Sequence, residues 1–218
     1  MLTTLHSFDG NDGSGPVAGL VQASDGNFYG TTVEGGIYND GTFFQITPQG
    51  ILTVLHSFDG TDGDLPFASL IQGMDGNFYG TTAQGGTSGA CYGGCGTVFK
   101  ITPGGTLTTL HSFDDTDGKT PAAPLVQAIN GVFYGTTIAG GANDNCNYEG
   151  DIGCGTVFSL SFPPSILNFI PTIGRVGSSV VITGENFSGA TSVTFDGVPA
   201  RRFTVESPTE IRATVRES

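Results

Sequence analysis

An imidazole titrates near neutral pH and can act as general base, general acid or metal ligand, so the histidines are the first candidates for chemistry. His6, His56 and His111 each stand in the same word, Leu-His-Ser-Phe-Asp, at residues 5–9, 55–59 and 110–114. A catalytic group is needed once, whereas a structural one recurs. The three identical settings therefore predict buried rings bonded to neighbouring backbone groups, and no Ser-His-Asp triad. Carboxylates cluster just after each word: Asp9 and Asp12, then Asp59, Asp62 and Asp64, then Asp114 and Asp117. Closely spaced carboxylates on a Gly-rich turn can supply hard oxygen ligands to Ca²⁺, the only cofactor suggested. They lack the length and terminal Glu of an EF-hand loop, and the competing reading is that Asp and Gly make good turns. Hydrolysis of a glycoside needs a paired acid and base. Here every carboxylate is either repeated with the turns or isolated, like Glu34 and Glu149. The expectation is a protein that is not an enzyme.

The four cysteines form two local pairs, Cys91/Cys95 and Cys146/Cys154, both in the connection between the second and third strands of a repeat. The shorter connection of the first repeat, 37–40, has none. Cysteines that come and go together in one loop predict a disulfide across it and an oxidising compartment. Zinc is the alternative, but each pair offers two ligands and neither loop holds a His. Tyr29, Tyr79 and Tyr134 could stack on sugars, yet their place beside Phe28, Phe78 and Phe133 fits core packing equally well. The longer loops 87–95 and 142–154, with Tyr92 and Tyr148, are better candidates for contact surfaces.

The elements that position these residues come from an internal repeat, which is the dominant signal. Phe-Tyr-Gly-Thr-Thr recurs at 28–32, 78–82 and 133–137, and Gly-Thr-(Phe/Val)-Phe at 41–44, 96–99 and 155–158. The words step by about 50 residues, and the insertions fall between these two. One unit reads as four strands: 20–23, a tight turn Asp25-Gly26-Asn27, 28–32, 42–46 ended by Pro48, and 52–58. Apolar residues on both sides of the strands fit radially stacked sheets. The expected fold is all-β: three four-stranded propeller-like blades over 1–163, forming a partial or small β-propeller, then a second domain over 164–218. Residues 2–8 read as a lone fourth strand, which could complete the third blade. Because propellers take about four to eight blades, an arc completed by further repeats or other subunits is expected.

Charge supports the boundary. Residues 1–164 carry the whole net charge of −13 with only Lys100 and Lys119 as cations, and residues 165–218 balance to zero. An acidic repeat repels phosphate, so nucleic acid is an unexpected partner, while glycans or other surface proteins remain open. No stretch is long and apolar enough for a membrane helix. The first residues carry no signal-peptide pattern and read as the tail of a repeat, which predicts a piece of a longer polypeptide.

The words Leu-His-Ser-Phe, Asp-Gly-Asn-Phe-Tyr-Gly-Thr-Thr and Gly-Thr-Val-Phe-Lys-Ile-Thr-Pro resemble the GloVer repeat of bacterial surface proteins over about residues 1–162. The resemblance implies export and a place outside the cell or on its surface, more than any activity. Residues 165–218, with Val-Gly-Ser-Ser-Val-Val-Ile-Thr-Gly-Glu-Asn-Phe and Val-Thr-Phe-Asp-Gly-Val-Pro-Ala, resemble an IPT/TIG domain, an immunoglobulin-like fold, one or two strands short. Arg201 and Arg202 are the only basic pair there, too little for DNA. Together these imply a non-catalytic interaction or adhesion scaffold, with glycan binding as one candidate role. The alternative is a fragment of a secreted polysaccharide-active enzyme, a glycosidase or lyase.

Overall fold

The computed structural model describes residues 1–143, 145–148, 151–173 and 175–216, with all of their side chains except those of 147, 148, 151 and 152. The chain divides into two compact units, one of residues 1–126 with 134–158 and one of residues 127–133 with 159–218. Both are built from antiparallel strands, and a single 3-10 turn, Phe187–Gly189, is the one helical element among the described residues. No helix there is long and apolar enough to cross a membrane.

The first blade runs β1 (Val21–Gln22), β2 (Phe28–Thr32), β3 (Thr42–Ile46) and β4 (Leu52–Ser57), paired in chain order. The second repeats it as β5 (Ile71–Gln72), β6 (Phe78–Thr82), β7 (Thr97–Ile101) and β8 (Leu107–Ser112). The hairpin between the first two strands follows from its residues. Asp25 Oδ1 accepts from the N–H of Asn27 at 2.9 Å, and Gly26 takes φ 83°, which a side chain resists. In the fourth strand Phe43 pairs with His56 but Phe44 with Val54, so Leu55 is a bulge; Leu110 repeats it between Val98/His111 and Phe99/Thr109. The bulge bends the outer strand and lets Leu55 pack against the core between the blades. That core is aromatic. Tyr29 and Phe43 of the first blade close on Phe78 of the second, with ring centroids 4.3 and 5.7 Å away, and Phe58 meets Phe99 edge-on at 5.3 Å. Leu70 and Ile101 complete the cluster.

The third repeat departs from expectation. It supplies β9 (Val126–Gln127), β10 (Phe133–Thr136) and β13 (Val157–Leu160), a sheet of three strands rather than four. A short hairpin, β11 (Asn147–Tyr148) with β12 (Asp151–Ile152), lies in its long loop. Residues 2–8 form no strand and do not complete this sheet. The reason is the partner. β4 and β8 are strands because each pairs with the third strand of its own blade, whereas residues 2–8 pair with none.

The second unit contains β14 (Ser165–Ile170), β15 (Ser179–Glu185), β18 (Arg202–Ser207) and β19 (Glu210–Thr214) in the order β14-β15-β19-β18, with a separate hairpin of β16 (Thr194–Phe195) and β17 (Val198–Pro199). Alternation along β15 and β19 buries Val180, Ile182, Ile211 and Ala213 on one face, against Phe187 from the 3-10 turn.

Candidate functional site

One end of each blade carries the carboxylate turn and the loop between its second and third strands, bonded to each other. Gly36 N–H donates to Gly10 O at 2.9 Å, Gly86 to Gly60 O at 2.8 Å, and Gly141 to Asp115 O at 2.7 Å. The turn is built by its own carboxylates. Asp9 Oδ1 accepts from the N–H groups of Asn11 and Asp12, and Asp12 Oδ1 accepts from the N–H of Asp9. Asp59 with Asp62, and Asp114 with Asp117, repeat the arrangement.

The second oxygen of the inner carboxylate meets the histidine. Nε2 of His6, His56 and His111 donates to Oδ2 of Asp12, Asp62 and Asp117 at 2.6, 2.7 and 2.6 Å. The imidazole partner is thus a side chain six residues ahead rather than a backbone group, and the rings are half-buried rather than buried. Each ring also rests edge-on against the Phe two residues later, at 5.1, 5.3 and 4.8 Å. The carbonyl of the inner Asp accepts from a buried or half-buried hydroxyl, Thr42, Thr97 or Thr156, which bonds in turn to Thr32, Thr82 or Thr137. The threonine pair leaves no room at the turn: a Cβ on Gly13 would lie 2.5 Å from Thr32 Oγ1.

The serine beside each histidine does not join it. Neighbouring residues in a strand face opposite ways. Ser112 Oγ accepts from the N–H of Thr87 at 2.9 Å, and Ser57 Oγ from that of Ile37 at 3.4 Å, so both hold the loops. What repeats is a staple: histidine, aspartate and threonines joining one strand end to the following blade.

The electrostatics of this end follow from the same bonds. The backbone N–H groups of Asn11 and Asp12 hold the Asp9 carboxyl below its ordinary value, and the hydroxyls of Thr61 and Thr116 lead the same effect at Asp59 and Asp114. Two other carboxyls are pushed up. Burial raises Asp40, with the charges of Asp59 and Asp62 adding to it, and burial raises Asp64, with Asp40 adding. Sequence reasoning placed Asp64 in the turn cluster but missed Asp40, which comes from the preceding blade's loop. Among the described residues no three His, Cys, Asp or Glu side chains gather as metal ligands would.

The loops differ where the staple does not. Cys91 is bonded to Cys95 and Cys146 to Cys154, as the spacing predicts. Tyr92 is fully exposed inside the first disulfide loop, and Ile37 and Tyr38 project from the uncrosslinked loop of the first blade. Tyr29 and Tyr79 are core residues, whereas Tyr134 is exposed. Tyr29 and Tyr79 donate to Asp25 and Asp75 Oδ2. Glu149 and the side chain of Tyr148 lie outside the described residues.

A family model described as the Gloeobacter/Verrucomicrobia repeat matches residues 1–194, past the three repeats and into β16. No curated protein matches the chain. Solved structures that align with it include a proposed gluconolactonase at 15% identity (90% of this chain, 58% of that one), a virginiamycin B lyase from Staphylococcus aureus at 14% (89% and 61%) and a streptogramin B lyase at 12% (91% and 68%). Each has a TM-score of 0.36, too low to argue from. The chain spans about three-fifths of the length of the first two.

Proposed function

Since the chain belongs to the Gloeobacter/Verrucomicrobia repeat family, we propose that it is a non-catalytic interaction scaffold that works outside the cytoplasm, its blades propeller-like and its disulfide-clamped loops the contact surface. One observation carries this reading. The His–Asp staple is the same in all three repeats and spends its polar atoms on local bonds, while the loops beside it change length, crosslinking and exposed aromatics. Identical groups used three times are structural; variable loops on a fixed frame are where binding is placed. Two disulfides favour an oxidising compartment. The end is acidic, which disfavours nucleic acid and favours neutral glycans or basic protein surfaces as ligands, with exposed Tyr38 and Tyr92 as stacking rings.

The second unit is read as an immunoglobulin-like IPT/TIG spacer. Its sheet and hairpin flank an apolar cleft of about 380 Å³ lined by Ile166, Phe169, Ile182, Phe187, Phe195 and Ile211, between two layers as in a sandwich.

Glycan-array binding of the wild type beside Tyr92→Ala and Tyr38→Ala tests the scaffold. Binding that falls at least tenfold in one of them supports it. Release of reducing sugar from a polysaccharide, abolished by His56→Ala, would replace it with the enzyme reading.

A further inference from the structure

The second unit balances five Arg against five Asp and Glu, but the two signs are sorted to opposite ends of its sheet. Arg175 precedes the turn into β15, Arg201 and Arg202 open β18, and Arg216 follows β19. Pairing brings these positions together, since Ser179 lies opposite Thr214 and Thr214 opposite Arg202. Glu185, Glu206 and Glu210 stand at the far end, where Thr183 pairs with Glu210. The step from Thr214 to Glu210 is roughly 13 Å at the ordinary strand rise. That exceeds the screening length of about 8 Å at physiological salt, so the glutamates do not neutralise the arginine end.

Arg212 lies between the ends and is spent on Glu206 and Glu210. Among the described residues the other four arginines make no ion pair, and all four are exposed. Glu217, beside Arg216 in the sequence, lies outside the described residues; a single carboxyl still leaves four arginines in excess. The backbone that carries them is pinned. Gly177 N–H donates to Val215 O at 3.0 Å, Val215 N–H to Ser178 O at 3.1 Å and Arg201 N–H to Thr214 O at 2.9 Å. Here lies a cleft of about 560 Å³ lined by Val176, Gly177, Arg201, Val215 and Arg216.

We propose that this cleft binds the carboxylate or sulfate group of an acidic glycan, clamped by Arg201 and Arg216, with Arg175 and Arg202 attracting neighbouring charges of the same glycan. The cations of the second unit are all Arg, whereas those of residues 1–164 are Lys100 and Lys119. A guanidinium presents a planar fork of N–H donors that matches the oxygen pair of such a group, which an ammonium does not. Val176 and Val215 add apolar contact for the C–H face of a sugar ring, which an inorganic ion could not use. A nucleic acid fits less well. Its bases stack on aromatic platforms, and among the described residues no aromatic lines the cleft. DNA also carries one charge per about 1.7 Å of axis, which the chain's net charge of −13 opposes. A glycan with one charge per sugar or fewer meets less of that repulsion. This inference concerns the second unit and stands apart from the blade loops of the scaffold reading.

Calorimetric titration of the full chain with hexagalacturonate, a sulfated galactan hexamer and neutral maltohexaose tests it. At least one acidic hexamer should bind, tenfold or more tighter than maltohexaose, and weaken as salt is added. Which of the two binds identifies the anionic group. Arg201→Gln/Arg216→Gln should lower that affinity at least tenfold while the thermal midpoint holds, because both side chains are exposed. Should the pair fail to fold, each single change carries the same test with a fall of at least threefold. Arg212→Gln, outside the cleft, and Tyr92→Ala, in a blade loop, should leave the affinity within twofold. The proposal is overturned if neither acidic hexamer binds, if maltohexaose binds equally, or if the folded Arg201 and Arg216 variants bind as the wild type does. A loss in Arg212→Gln or Tyr92→Ala places the site elsewhere and overturns it too, as does tighter binding of a single-stranded DNA hexamer.

Discussion

Leu20 and Leu70 hold the same place in two blades of nearly the same sequence, yet one faces solvent and the other is buried. The middle blade is flanked by repeats on both sides and its aromatic residues are sealed, whereas the first blade's equivalent face is open. The difference teaches that burial in this array belongs to the junction between repeats and not to the repeat itself, as expected where neighbours stack to form the core. It also separates two kinds of stabilisation. The His–Asp staple is complete in all three copies, even at His6, where no fourth strand exists. The aromatic contact needs a neighbour.

The sharpest way to break this comparison is to truncate one position in both blades. Phe78→Ala should cost about 3–5 kcal/mol in urea unfolding, because a fully buried ring between Tyr29 and Phe43 is removed. Phe28→Ala, at the half-buried counterpart, should cost less than half as much. Equal losses would mean that the open face is packed in solution.

A smaller effect is expected at the staple. His56→Ala removes a charge-assisted bond to Asp62 that is partly open to water, and should lower stability by about 1–2 kcal/mol. The same change at His6 should cost a similar amount, since that staple is equally formed. A cost confined to His56 would show that the staple depends on the strand after all.

Acidity divides the carboxylates further. Asp9, Asp59 and Asp114 are held below their ordinary value of 3.8. Their contribution is fully present above that pH and is lost as the pH falls through the lower folded-state values. Asp40 and Asp64 have the opposite sign: each is raised, so the stability linked to its neutral form is complete below 3.8 and lost as the pH rises through the raised value. Asp40→Asn should therefore raise the midpoint of thermal unfolding at pH 7 by a small amount, about one degree, and have no effect at pH 3. A lower midpoint at pH 7 would assign Asp40 a favourable partner. Calcium set against EDTA should move that midpoint least of all, since the turn oxygens are already bonded; a rise of several degrees with calcium would instead make the turns a cation site.

Much of this arrangement is legible in the sequence, because the informative signals are local. The second and third strands of the first two blades end at the residues that the repeated words mark, and the Asp-Gly hairpins and both disulfides follow from spacing alone. What escaped depends on partners distant in the chain. The imidazole's bond to an aspartate six residues on requires the chain to double back through a turn, which no periodicity reveals. Asp40 is acidic-cluster material only after two blades stack. Residues 2–8 have every sequence property of a fourth strand and are not one here, because a strand is a relation between two segments.

Amide hydrogen exchange of the two copies of that segment tests the claim that the neighbour decides the structure. Residues 52–57 should be protected, through pairing with β3, while residues 2–7 should exchange as an unpaired segment does. Protection of 2–7 equal to that of 52–57 would contradict it.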